Sequence, residues 1–290
     1  MLLKPSAKSD RPGGLPGSRG GQALAPGGRP WGAARLVGQK TKSLMIMRIL
    51  YQFPISHYCE KSRWQLEHKG LAYETRDLLP GAHWPRTRWL ARIGTVPVLR
   101  DGERRVGDST KIAYYLEKYY PERSLIPEDA ALRHRVIELE QQFDRLGVHL
   151  RTWMYGHVLD RPETMELLLA PAGMAPWITR LLAPPLREAI RRKYAINPKS
   201  VVYAGERVED GLTLVETLLV QNGGDYLVGD RLTLADITAA SLLAPMMGIA
   251  GTPWEGIEVS SLPEPVRHQF RLVRERPAGQ WVKERYLRDR

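Results

Sequence analysis

Residues 95–107, TVPVLRDGERRVG, constrain this chain more than any other stretch. Two short strands, PVLR and RRVG, flank an Asp-Gly turn at Asp101 and Gly102, a strong hairpin signal because those residue types tolerate left-handed backbone. Pro97 opens the first strand. Lacking an N–H, it must sit at the strand entrance rather than inside a ladder, and the Val96–Pro97 bond can be cis at modest cost. A hairpin of this kind needs a sheet to join.

The sequence before it supplies one. MRILYQF, residues 47–53, is a short apolar run with β-propensity that stops at Pro54, the profile of a buried strand. SHYCEKSRWQLEHKG then reads as a helix: Ser56 is a good N-cap, apolar groups recur at helical spacing, and Gly70 suits the position just past the end. LAYETRDLL reads as a second strand, and PGAHWPRTRWLARIG as an irregular loop with a short helix. After the hairpin, DSTKIAYYLEKYYP predicts a third helix with Ile112, Tyr115, Leu116 and Tyr119 on one face and Pro121 as its stop. The order is βαβαββα over residues 47–125, an α/β unit.

From residue 128 to 290 the pattern turns helical, with DAALRHRVIELEQQFDRLGVHLRTWMYGHV, APPLREAIRRKYA and GLTLVETLLVQNG as the clearest stretches. In YLVGDRLTLADITAASLL, Thr233 and Asp236 form a capping box, and Leu232 and Ile237 can act as a hydrophobic staple. Residues 160–210 are rich in Pro and in aliphatic groups; they suit a cavity wall, a subunit contact or plain core.

Strand, SHYC at a helix start, TVPVL, an Asp-Gly hairpin and DST opening a helix together resemble the thioredoxin-like N-terminal domain of cytosolic glutathione transferases. The capping box resembles the one in that family's all-helical second domain. The resemblance implies a thioredoxin-like glutathione-binding domain over 47–125 and an all-α domain over 128–290. It also implies glutathione as co-substrate, an apolar electrophilic second substrate between the domains, a detoxifying role in the cytoplasm and a homodimer. A fold does not fix a function, so a non-catalytic scaffold or ligand-binding protein of the same shape is the rival reading.

In thioredoxin-like proteins the first residue of the four-residue motif at this helix start is the reactive one. Here Ser56 takes the first place and Cys59 the fourth, a register that resembles the serine classes, zeta and theta among them. In those, the hydroxyl donates a hydrogen bond to the sulfur of glutathione. Moving a thiol from pKa ~8.5 to ~6.5 needs about 2.7 kcal/mol of anion stabilisation, and a hydrogen bond to a charged group supplies roughly 1.5–3 kcal/mol. A helix N-terminus adds ~0.5 kcal/mol. One hydroxyl therefore suffices. Ser56 is not read as a nucleophile, because His57 is its immediate helical neighbour and adjacent side chains diverge. Cys59 is the alternative: a first-turn thiol can have a lowered pKa and form a mixed disulfide with glutathione, as in a thiol oxidoreductase, or it can be a small buried apolar group.

The resemblance carries four further positions. Val96, before Pro97, holds the cysteinyl backbone of glutathione through its main chain, and Pro97 keeps that edge free. Asp108 and Ser109, opening the third helix, take the γ-glutamyl end; read alone, they are an ordinary N-cap. Arg63, Arg86 and Arg88 offer cationic contacts to the glycyl end.

Composition narrows the classes. One cysteine excludes an internal disulfide, and no His, Cys or carboxylate spacing suggests a metal. No run approaches the length of a membrane-spanning helix. The formal charge of +11 is concentrated at the start, where residues 1–46 hold eight Lys or Arg against Asp10, and the other 244 residues hold 35 bases and 31 acids. A near-balanced body argues against a nucleic-acid partner. The basic, Gly- and Pro-rich segment 1–46 lacks apolar periodicity and is expected to be disordered, or to precede a true start at Met45 or Met47.

Overall fold

The computed structural model describes residues 48–169, 175–255 and 259–290, so the readings made of segment 1–46 and of Met47 lie outside the described residues. Strand β1 (Arg48–Gln52) runs through the middle of a four-stranded sheet ordered β2-β1-β3-β4. It pairs in parallel with β2 (Glu74–Asp77) and antiparallel with β3 (Val98–Asp101), and β3 pairs antiparallel with β4 (Arg104–Gly107). Helices α1 (His57–His68), α2 (His83–Ala91) and α3 (Ser109–Tyr119) complete the βαβαββα order.

Strand periodicity divides the core. Leu50 and Leu99 point to the face covered by α1 and α3, where they pack with Leu66, Ile112 and Leu116. Ile49, Tyr51 and Val98 point to the other face and meet Leu90 of α2.

Two boundaries differ from the sequence reading. The two-residue turn is Gly102-Glu103, because Asp101 pairs with Arg104 across the ladder. Gly102 has φ +58°, the left-handed first position of a Gly-X hairpin turn, so the glycine begins the turn and does not end it. β2 is only four residues long, since the apolar ends of LAYETRDLL leave the ladder: Leu71 and Leu78 pack against the two cores, and the polar ETRD is left as an edge strand.

The remainder is helical among the described residues: α4 (Ala130–Val158), α5 (Pro162–Leu169), α6 (Pro176–Lys193), α7 (Pro198–Asn222), α8 (Leu234–Met247), α9 (Glu264–Glu275) and α10 (Pro277–Asp289). α8 is buried along its whole length, apolar all round, and packs on α4, α10 and α1. Asp236 secures its start by accepting from the N–H of Thr233 at 2.8 Å, the Thr233 hydroxyl at 2.6 Å and the N–H of Leu227 at 2.7 Å. Burial nonetheless pushes its carboxyl up to about 6.

Helix α6 begins well before APPLREAI and runs through Pro184 and Pro185. Both prolines are exposed, so the carbonyls they leave unbonded can turn to water. α7 also starts earlier than expected, at Pro198, behind an Asn197–Ser200 capping box.

Candidate active site

Ser56 owes its place to the turn after β1. Pro54 ends the strand, the N–H of Ser56 donates to the carbonyl of Phe53 at 3.1 Å, and extended backbone at Ser56 (φ −85°, ψ 121°) makes it the N-cap of α1. Its Oγ accepts the N–H of Cys59 at 3.4 Å, a long bond that leaves the hydroxyl proton for another partner. The residue is half-buried and lines a cavity of about 640 Å³.

The cavity is walled from one side by the sheet-bearing part, through Ser56, His57, Tyr58, Trp84 and Val96, and from the other by α4, α5 and α6. Residues 160–210, suited by sequence to a cavity wall, a subunit contact or plain core, supply Leu168, Leu186 and Ile190 to the wall, and Met165, Leu168, Ala183 and Ile190 pack with Leu159 into a small core.

The candidate positions separate into two groups. Val96 shares the cavity wall with Ser56, and its bond to Pro97 is cis. Asp108 and Ser109 lie beyond that wall, tied to it by the Asp108 N–H donating to the Pro97 carbonyl at 3.1 Å. Asp108 is exposed, has φ +82°, and its Oδ1 accepts the N–H groups of Thr110 and Lys111 at 3.1 and 3.0 Å. That is the N-cap read from its residue type; Ser109 behind it is buried.

Cys59 is fully buried, and burial pushes its thiol up against the opposing pull of Arg63 and Ser56. The structure therefore gives it the surroundings of a small core residue, not of an activated thiol. Arg63, offered from the sequence as a cationic contact, is not among the residues that line the cavity. It is buried on α1, where it donates to Glu60 at 2.8 Å, to the Pro54 carbonyl at 3.0 Å and to Gln52. Its charge is already satisfied. Arg86 and Arg88 stack over Tyr51 and Trp84, at 5.2 and 5.3 Å from the ring centroids.

Three further wall residues carry no role in the sequence reading: His57, set aside there as a base for Ser56, with Tyr58 and Arg151. Burial, with Arg151 second, drives His57 down to about 3, so it is neutral at working pH. The Tyr58 hydroxyl donates to the Asp144 carbonyl at 2.8 Å and is held well above the ordinary tyrosine range, first by burial. Arg151 comes from the C-terminal third of α4, where no local pattern distinguishes it from a surface arginine. Among the described residues no group of three or more His, Cys, Asp or Glu is placed to hold a metal.

Comparison with known proteins accounts for this geometry. The description "Glutathione S-transferase, N-terminal domain" matches residues 50–124 and "Glutathione S-transferase, C-terminal domain" matches residues 189–253. The chain belongs to the cytosolic glutathione S-transferase superfamily. Glutathione S-transferase 1 of Dianthus caryophyllus is 28% identical over 217 residues, which is 74% of this chain and 81% of that protein. A probable maleylacetoacetate isomerase of Vibrio cholerae is 27% identical over 67% of this chain and 78% of its own length. The crystal structure of a glutathione S-transferase from Rhodospirillum rubrum superposes with a TM-score of 0.52 at 26% identity, covering 81% of this chain and 91% of that one. The cavity between the sheet-bearing and helical parts, with the N-terminus of α1 in its wall, is the candidate active site.

Proposed function

We propose that this chain is a glutathione-dependent transferase in which Ser56 keeps the bound thiol ionised for attack on an electrophilic small molecule. The observation that carries the reading is the Ser56 hydroxyl, at the positive end of α1 and on the wall of the cavity it shares with Val96. A donor there is of the right strength for the two-unit shift that a neutral-pH thiolate needs. The main chain of Val96, beside the cis Pro97, takes the cysteinyl backbone. Ser109 offers its hydroxyl and its own N–H to the γ-glutamyl carboxylate, while Asp108 Oδ2 accepts the ammonium; the N–H groups of Thr110 and Lys111 stay with Asp108 Oδ1. Cys59 has no part in the chemistry, because its thiol is buried and disfavoured as an anion. Function as a homodimer in the cytoplasm belongs to the same reading.

Retention on immobilised glutathione, turnover of an aryl halide, and the ultraviolet band of the bound thiolate test it together. Ser56→Ala is expected to raise the pKa of bound glutathione by about a unit or more, and Cys59→Ala to leave activity largely intact. Loss of activity in Cys59→Ala with Ser56→Ala unaffected would move the chemistry to the thiol. Absence of both retention and turnover would favour the scaffold reading.

A second reading is glutathione-dependent isomerisation, favoured by the Vibrio cholerae relative, which is named as a probable isomerase. The same thiolate would add to a conjugated double bond and leave again, and glutathione would be regenerated. Consumption of glutathione during turnover separates the two.

A further inference from the structure

The glutathione reading leaves one charge in the cavity unused. Arg151 faces it from α4, its guanidinium carbon 4.2 Å from the centre of the Tyr194 ring and 5.7 Å from that of Tyr58. Its Nε is buried with no hydrogen-bond partner, and the side chain forms no ion pair among the described residues. The arginines around it are different: Arg63 pairs with Glu60, Arg187 and Arg191 with Asp160, and Arg161, in the same wall, lies 3.5 Å from Glu163. Among the described residues Glu163 is the one carboxylate lining the cavity, and Arg161 already occupies it.

Arg151 is half-buried, and a partly desolvated guanidinium without a counter-ion is costly unless something compensates it. Two aromatic faces do so in part. What remains is a planar fork of N–H donors beside a cavity, the arrangement that recognises a carboxylate through paired, charge-assisted hydrogen bonds. His57, neighbouring it, is neutral and adds no charge, and Lys193, at the wall's rim, is exposed to solvent. Arg151 is thus the cation that an anionic group inside the cavity would meet, with Met154, Val158, Leu168 and Ile190 offering apolar surface to a carbon skeleton.

We propose that Arg151 is a specificity-determining residue that binds a carboxylate on the second substrate, so that the cavity takes electrophilic aromatic or unsaturated acids in preference to their neutral counterparts. The inference rests on the glutathione reading above, and its test keeps the two apart. The dissociation constants of glutathione, of its S-(p-carboxybenzyl) conjugate and of the methyl ester of that benzoate are measured on the full chain, which requires no turnover. Wild type is expected to bind the carboxylate conjugate about tenfold more tightly than the ester. Arg151→Leu should erase that preference while glutathione and the ester shift by less than about threefold, and Arg151→Lys should keep part of it. Equal weakening of acid and ester, or a preference unchanged in Arg151→Leu, overturns the proposal and leaves the glutathione reading standing. If glutathione itself does not bind wild type, that reading fails and this inference fails with it.

Discussion

Lys61 Nζ lies 2.5 Å from Glu140 Oε1, and neither side chain is exposed to solvent. Lys61 belongs to α1 and Glu140 to α4, so the pair joins the helix that carries Ser56 to the helical half of the cavity. The same ammonium donates to Asp144 Oδ1 and to Thr110 Oγ1, each at 3.1 Å, and Thr110 donates to Glu140 Oε1 at 2.6 Å. Three helices therefore converge on one buried charge cluster, directly beside the start of α3 where Asp108 and Ser109 lie.

Breaking such a cluster from one side costs more than removing it. Lys61→Met leaves the Glu140 carboxylate buried without its partner and is expected to destabilise the fold by about 3–5 kcal/mol. Replacing both, in Lys61→Met with Glu140→Leu, should recover most of that loss. Urea unfolding midpoints of the two variants decide the point: if the double variant is no more stable than the single one, an uncompensated charge is not the cause.

His57 gives the site a pH dependence of known sign. Its folded-state pKa, about 3, lies below its ordinary 6.5, so the unfolded chain binds the proton more readily. Its contribution to stability is complete above 6.5 and is lost as pH falls through 6.5 toward 3. At pH ~5 the loss amounts to about 2 kcal/mol, because the unfolded side chain is then protonated and the folded one is not. His57→Gln should flatten the stability profile between neutrality and pH ~5. An identical slope in wild type and variant would show that other groups set it.

Cys59 is expected to be silent toward alkylation. With the thiol fully buried and its ionisation disfavoured, iodoacetamide should modify the folded protein at least about a hundredfold more slowly than the urea-unfolded chain. Addition of glutathione should not change the folded rate. Rapid labelling of the folded protein would return Cys59 to the list of reactive groups.

The sheet-bearing half was legible because each of its signals is local. Pro54 and Ser56 fix the end of β1 and the start of α1, and the Gly102 hairpin with Pro97 before it fixes β3 and β4. That Ser56 is the first residue of its motif is what the resemblance to thioredoxin-like proteins implies. The helical half carries less: the NPKS cap at Asn197 is a local start signal, but the exposed Pro184-Pro185 pair conceals a continuous helix. Arg63 and Arg151 were read least well, for opposite reasons. What separates them is whether a carboxylate stands opposite, as Glu60 does for Arg63, and that is a property of packing between helices that spacing along the chain does not carry.

Gly279 sets the corner between α9 and α10, and its substitution tests how that corner supports the site. In an ordinary helix position Gly→Ala stabilises by roughly 1 kcal/mol. Here an added Cβ would fall 1.9 Å from the carbonyl oxygen of Val273 and 3.2 Å from the Cα of Arg274, main-chain atoms that have no rotamer to yield. The expected sign is reversed, with Gly279→Ala destabilising by about 1–3 kcal/mol through forced backbone shifts. α10 rests on α1 through the Tyr286 hydroxyl, which donates to Glu60 Oε1 at 3.1 Å, and through Arg290, which pairs with Glu60 and Glu67. Glu60 is also the partner that holds Arg63, so a displaced α10 should loosen the α1 segment just after Ser56. Thermal unfolding should show a midpoint lowered by several degrees, and hydrogen exchange should be faster in α10 and in the first two turns of α1 than in α7. An unchanged or raised midpoint would mean that the corner relaxes freely and that α10 does not brace the helix bearing the site.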